Sequence, residues 1–414
     1  MGAADIMGAE TSAAVRMKLQ AAARGIRVDD GLRDRIAALS SPQTRADGSR
    51  AIEILLPGQV WVTAAVDDGG PSSLLLSGSL DAARLECDGD AMQVEIALPR
   101  FYQQITRAQR PMWQVVSAFG SFLAVNPSAA CSFGVRGAPC RFCRAGTPVP
   151  AAEAFPMPVA DVVETVRAAF DEGQVGPVYF NTGYLGGEDS GIVFLEPYIR
   201  AVKRNFATVV AVQMHPPKTN TWIDRAYAMG VDAISFGIEI HDAAVLQRQC
   251  PGRVRFIGRE RYYEALAYAA SIFPKGTVWS DLVVGIESAE STRQGIETLV
   301  RDGVLPVLST MRAASLSQLR GVSAPAVEEM VPLYADLYRI VQEAHIQTGW
   351  VRQLSFAVTP FEARAFATNG APRSGVVEYF YRSRLSLMAA RNLSRVRRQL
   401  RLREEDDAGH HSEL

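Results

Sequence analysis

The sequence predicts an α/β protein. Its main part is a partial (β/α)6 barrel of the TIM type, preceded by an N-terminal α+β accessory unit and followed by a mainly helical C-terminal extension. Three observations carry this. From about residue 115, six short apolar runs alternate with amphipathic helical segments. The runs are mainly apolar, as strands covered on both faces are. Before residue 100 the texture differs, with short strand-like runs broken by turn residues, as in an antiparallel sheet. The expected boundaries are 1–110, 115–350 and 351–414.

Residues 11–40 read as two short helices. Leu32, Ile36 and Leu39 recur at helical spacing behind Asp29 and Asp30 as caps. Strand-like runs follow at AIEILLP, QVWVTAAV, SSLLLSG, ARLECDG and MQVEIAL, with turns at DDGGPSS and DGDA. The barrel strands are expected at 121–126, 176–182, 208–214, 231–239, 277–284 and 304–310. Between and after them come helices at 158–172, 193–206, 220–229, 258–272, 289–302 and 326–346. Parallel strands joined by right-handed crossovers curl into a full or partial barrel, and six repeats fit the partial form. In such barrels chemistry sits on loops beyond the C-terminal strand ends. A last helix, about 374–402, carries Met388, Leu393, Val396 and Leu400 on one apolar stripe. Core packing is its first use; docking on the N-terminal unit or a homodimer contact are the others.

A chain of 414 residues can bury a large core, and 48% hydrophobic with 21% charged residues is an ordinary globular balance. A net charge of −1 sets up no overall field toward nucleic acid or anionic lipid. The basic stretch Arg395, Arg397, Arg398, Arg401 and Arg403 runs straight into Glu404, Glu405, Asp406 and Asp407, which reads as a solvated helix end. Neither nucleic acid nor membrane is therefore expected as a partner. No apolar run approaches the ~18 residues of a membrane helix. The N-terminus, with Asp5 and Glu10, lacks a basic-then-apolar signal pattern, so a cytoplasmic protein is expected. Five cysteines is an odd count, and three fall within 131–143. In a reducing compartment that clustering argues for metal rather than disulfides.

Those three lie in CSFGVRGAPCRFC, directly after the first barrel strand and so on the catalytic face. Cys140 and Cys143 are close enough for both thiolates to reach one small cluster, and Gly134, Gly137 and Pro139 let the longer arm fold Cys131 back. Three thiolates can hold three irons and leave a fourth open to another ligand. A structural zinc is the alternative. It normally takes four ligands, and the fourth would have to come from Cys87, Cys250 or a histidine, none at close spacing.

With Phe142 before the last cysteine, the loop resembles that of the radical S-adenosylmethionine (SAM) superfamily, over roughly residues 115–320. The resemblance implies a [4Fe–4S] cluster on Cys131, Cys140 and Cys143, its open iron chelated by the amino and carboxylate groups of SAM. The reduced cluster would cleave SAM to a 5′-deoxyadenosyl radical that takes hydrogen from substrate, and a flavodoxin or ferredoxin-type reductant would deliver the electron. The first gap is five residues longer than the usual C-x3-C-x2-C, which leaves the branch of the superfamily open.

After the second strand, Gly186, Gly187 and Glu188 resemble the family's GGE motif, which holds the SAM amino group. Paired glycines allow close backbone approach, and a carboxylate matches an ammonium. Glu239, at the end of strand four, matches a position used against the SAM ribose or methionine end. DLVVGIESAE resembles the family's adenine-side region, with Gly285 its main contact and Glu287 a lesser one. Phe142 is a further cofactor contact. At the mouth of strand three, His215 could serve substrate binding or acid–base work. Lys218, one of four lysines, could neutralise an anionic group. Arg312, after strand six, could pair with a carboxylate of SAM or substrate. His410 and His411 read as inert tail residues, Cys87 as a β-core residue and Cys250 as a loop residue.

No second cysteine-rich module, cobalamin-binding segment or basic RNA-binding appendage is evident. The expected substrate is therefore a small molecule, in cofactor or natural-product biosynthesis. A zinc-dependent barrel enzyme with acid–base chemistry, and a non-catalytic iron–sulfur scaffold, stay open beside this reading.

Overall fold

The computed structural model describes residues 3–39, 43–44, 50–66, 74–143, 156–174, 176–311 and 325–367. Arg312, the expected helix at 374–402 with its stripe and basic stretch, and His410 and His411 lie outside them.

The N-terminal part runs α1 (Ala3–Arg24), β1 (Arg27–Val28), α2 (Asp30–Leu39), β2 (Gln43–Thr44), β3 (Arg50–Leu56), β4 (Val60–Ala65), β5 (Leu74–Ser79), β6 (Ala82–Cys87) and β7 (Asp90–Ala97). These strands form one sheet in the order β1-β5-β6-β7-β3-β2, with β4 also on β3. Pairing is antiparallel except between β1 and β5. The β6–β7 hairpin closes on Asp88 (φ 50°) and Gly89 (φ 95°). Two successive positive φ values are what an Asp-Gly hairpin turn supplies with little strain. Helix α1 begins earlier than expected and runs 22 residues across β4.

The barrel begins with an antiparallel hairpin, β8 (Ser117–Phe119) and β9 (Phe122–Val125), then α3 (Ser132–Val135) and α4 (Val159–Asp171). There follow β10 (Val178–Asn181), α5 (Ile192–Asn205), β11 (Val210–Met214), α6 (Thr221–Met229) and β12 (Ala233–Phe236). Next come α7 (Ala243–Gln249), α8 (Pro251–Phe256), α9 (Arg259–Ile272), β13 (Val278–Val284), α10 (Ala289–Arg301), β14 (Leu305–Thr310) and α11 (Val327–Glu343). Strands β9 to β14 are parallel and lie side by side in chain order. Same-handed crossovers between strands laid down in sequence put every connecting helix on one face. With β9 and β14 unpaired to each other, the result is an open, partial (β/α)6 barrel.

All six expected strands and all six expected helices are present. The sequence reading lacked α7 and α8, two short helices separated by the non-helical Cys250 (φ −132°, ψ 57°) with Pro251 starting the second. Neither is long enough to show a helical period. They matter because they carry one wall of the candidate site.

Strand alternation sorts the barrel side chains. Phe180 meets Tyr198 of α5 at 6.2 Å, so Tyr179, its neighbour, faces the lumen. Pairing then places Gln213 beside Ser235, and Ser235 beside Trp279, on the same inner face. Trp279, Trp350 and Phe122 close the floor, with ring centroids 5.2 Å and 6.0 Å apart in turn. Among the described residues, no helix is long and apolar enough to cross a membrane.

Candidate cluster and cofactor site

The cysteine loop is held on two sides. Cys131 precedes α3, and the Ser132 N–H donates to the Tyr184 carbonyl at 2.6 Å. A Cβ on Gly183 would stand 2.8 Å from the Cys131 Cβ and 2.6 Å from the Ala130 carbonyl oxygen, so only glycine fits where the β10 loop meets the first cysteine. Gly186 (φ 79°) and Gly187 (φ 75°) lie on that same loop, Gly186 next to Ser132. The cysteine loop and the Gly186–Gly187–Glu188 turn thus form one wall.

The second side is α7–α8. Phe133 stacks on Tyr184 (4.5 Å) and Phe256 (6.2 Å), and the Arg141 N–H donates to the Gln249 carbonyl at 2.9 Å. Gly252 lies so close under the loop that a Cβ would come 2.4 Å from the Ala138 oxygen. Arg253, fully buried, links three groups. It donates to Cys140 Sγ at 3.4 Å, to Glu239 Oε1 at 3.0 Å and to the Gly237 carbonyl. Sequence reasoning missed it. Cys250 is not an incidental loop residue either: it is buried and hydrogen-bonds Cys140. That bond, then the Arg253 charge, outweigh burial and hold the Cys140 thiol down to about 6, while burial pushes Cys250 well up.

No cysteine forms a disulfide. Cys143 and Phe142 are half-buried at the loop's end, where the Cys143 N–H donates to the Cys140 carbonyl. Among the described residues, no three His, Cys, Asp or Glu side chains converge in metal-binding geometry, so the loop brings its thiols to one wall without gathering them. The donor chemistry suits a thiolate-held cluster: three cysteines on one loop, one of them with its anion stabilised.

Glu188 and Lys218 are exposed and paired with each other at 2.6 Å, and that bond raises the lysine pKa. His215 is buried beneath the loop. Its Nδ1 lies 2.7 Å from the Tyr262 hydroxyl, and its ring meets Phe133, Tyr184 and Tyr262. Burial, then Arg253, keep its pKa well below the ordinary value, so it is neutral at pH 7 and serves the packing under the loop. Glu239 adopts φ 66°, its N–H bonded to the Asp281 carbonyl at 2.8 Å. Gly285 (φ 101°) ends β13, where a Cβ would stand 2.6 Å from Pro325. Glu287 is engaged by the His241 and Asp242 N–H groups and the Ser291 hydroxyl, which leaves it a structural role.

A polar chain inside the barrel was also missed. The Tyr179 hydroxyl donates to Gln213 Oε1, and Gln213 Nε2 donates to Asp281 Oδ2. The chain crosses over β12, whose inner face is Ala233, Ser235 and then Gly237, all small. Burial, then the Glu239 charge, push Asp281 up to about 8. Its signal was present: Gln213 and Asp281 interrupt otherwise apolar strands.

Among solved structures the chain is similar to the FeFe-hydrogenase maturase HydG from Carboxydothermus hydrogenoformans, at 13% identity and a TM-score of 0.45, covering 62% of this chain and 59% of that one. It is also similar to Streptococcus suis SuiB bound to S-adenosylmethionine, at 14% identity and a TM-score of 0.39, covering 55% and 47%. The chain thus spans less than two thirds of either protein's length. No protein-family model matches the sequence, and no curated protein does.

Proposed function

We propose that this chain is a radical SAM enzyme, acting on a small molecule and reduced by a flavodoxin or ferredoxin-type protein. The observation that carries this is the three-cysteine loop beyond β9, sharing one wall with the Gly186–Gly187–Glu188 turn beyond β10. Cys131, Cys140 and Cys143 would hold the [4Fe–4S] cluster, with Phe142 beside it. The backbone at Gly186 and Gly187, the Glu188 carboxylate, Glu239 and the Gly285 backbone would receive SAM. When bound, the reduced cluster and SAM together supply a 5′-deoxyadenosyl radical by one-electron cleavage of the sulfonium.

The chain's own residues do the rest. Arg253 ties the Cys140 sulfur to Glu239, so the cluster wall and the strand-four loop keep one spacing. Glu188 exchanges Lys218 for an ammonium at little cost, because an exposed pair is weak in water. Lys218, once released, would meet an anionic group, and Arg312 would pair with a carboxylate of SAM or substrate. His215, neutral and bonded to Tyr262, supports Phe133.

The test is anaerobic reconstitution followed by dithionite reduction with SAM. Roughly four irons per chain and 5′-deoxyadenosine are expected. Cys131→Ala, Cys140→Ala or Cys143→Ala should each lose the iron, and Cys87→Ala should keep it. Full iron in any of the three loop variants would remove the assignment.

One observation favours a second reading. Cys250 against Cys140 adds a fourth cysteine to the wall, and four thiolates suit a structural zinc. One zinc per chain, lost in Cys250→Ala and without SAM cleavage, would establish it instead.

A further inference from the structure

We propose that the barrel lumen beneath Glu239 binds the ammonium group of an amine-bearing substrate, with Asp281 as counter-ion and Ser235 and Gln213 as hydrogen-bonding neighbours. This deepens the proposed function and rests on it only in calling the ligand a substrate.

Two independent observations point to a ligand. First, Ser235 Oγ is fully buried and has no hydrogen-bond partner. Pairing sets Ser235 between Gln213 and Trp279 on the inner face, so its hydroxyl is aimed into the lumen. A buried hydroxyl left without a partner loses its hydration for nothing in return. Second, Asp281 is a buried carboxyl with no cation of its own. Arg253 acts on it from α8, but that guanidinium is already committed to Glu239, the Gly237 carbonyl and Cys140. The charged and titratable groups facing Asp281 are Tyr179 from β10, Glu239 beyond β12 and Arg253. Two carboxyls therefore share one cation.

An ammonium supplies the missing charge. Its three N–H donors match acceptors already in place at Asp281, Ser235 and the Gln213 side chain, where an alcohol would bring one. The aromatic floor of Tyr179 and Trp279, 6.1 Å apart, also suits a cation. The lumen opens on the cysteine face, because Asn181, Gln213, Glu239, Gly285 and Ser309 at the strand ends are only half-buried. With no cation present, burial and Glu239 keep Asp281 largely protonated at pH 7, which is how such a site rests when empty.

The experiment measures binding to the reconstituted protein without reductant, by calorimetry and melting temperature. The probes are primary amines from methylamine to hexylamine, with the matching alcohols and N-acetyl amines. Amines should bind and raise the melting temperature, and the other two series should not. Amine affinity should rise about twenty-five-fold from pH 6.5 to 8.5 as the Asp281 proton is lost, given a midpoint of about 8. Asp281→Asn should abolish amine binding, and Ser235→Ala should weaken it several-fold.

Alcohols binding as well as amines, or amine binding intact in Asp281→Asn, would overturn the proposal. If Asp281→Asn does not fold, unchanged amine affinity in Ser235→Ala does so. SAM carries an ammonium too, so its affinity is measured in parallel. It should be unchanged in Asp281→Asn and reduced in Glu188→Ala; a loss in Asp281→Asn would assign the lumen to SAM and overturn the substrate claim. Because no step needs electron transfer, absent 5′-deoxyadenosine would sink the proposed function and leave this result standing.

Discussion

Arg253 shows how much one side chain can decide. Its guanidinium meets a thiol, a carboxylate and a backbone carbonyl inside the protein, so one charge serves three acceptors on three segments. Removing the positive charge disfavours the Cys140 thiolate. In Arg253→Met, the pH midpoint for iodoacetamide alkylation of Cys140 in iron-free protein should therefore rise from about 6. Cys250→Ala should raise it too, since the Cys250 hydrogen bond is the larger cause. A midpoint that stays put in both variants would dissociate these groups from the thiol. The three loop cysteines were readable in the sequence because residue type alone restricts their chemistry. Arg253 was not, because an arginine declares its role only when the chain has folded α8 back over the β9 loop.

At the scale of elements, the barrel strands and helices were legible because each strand is a mainly apolar run and each crossover helix is long enough to repeat its apolar face. The α7–α8 wall was not, and neither was the lumen. Side-chain direction follows from strand register, and a sequence carries no register between strands far apart in the chain. Two glycines test the wall. Gly183→Ala would force its new carbon against Cys131, and Gly252→Ala against Ala138 and Phe133. Each should cost about 1–3 kcal/mol of stability by overpacking, measured by denaturant unfolding, and should lower iron uptake. Unchanged iron uptake in both would mean the loop does not dock as described.

At the scale of the whole molecule, the N-terminal part is stitched to the barrel and to the segment that follows it, 351–367, by polar contacts in buried places. Lys18 pairs with Glu362 at 2.8 Å and donates to the Leu354 carbonyl. The Gly120 N–H donates to Glu53, and the Thr63 and Ser355 hydroxyls bond at 2.6 Å. Burial lowers the Lys18 pKa and raises that of Glu362, and in each case the partner's charge and hydrogen bond oppose the shift without cancelling it. Lys18→Met should destabilise by about 3–5 kcal/mol, since it strands a buried carboxylate. Adding Glu362→Leu should restore much of that loss, and a double-variant loss equal to the sum of the two single losses would show the pair to be uncoupled.

The partners in that pair lie 344 positions apart. Synthesis at ~5–20 residues per second puts roughly 17–70 s between the emergence of one and the other. For that interval the Lys18 ammonium lacks its Glu362 partner, and the apolar face of α1, including Leu19 and Ala22, has β4 to pack on but neither the segment Glu362–Phe366 nor α11. The nascent chain is thus a natural client for holding chaperones, and stalled fragments ending before Glu362 should be the first species seized by quality-control proteases.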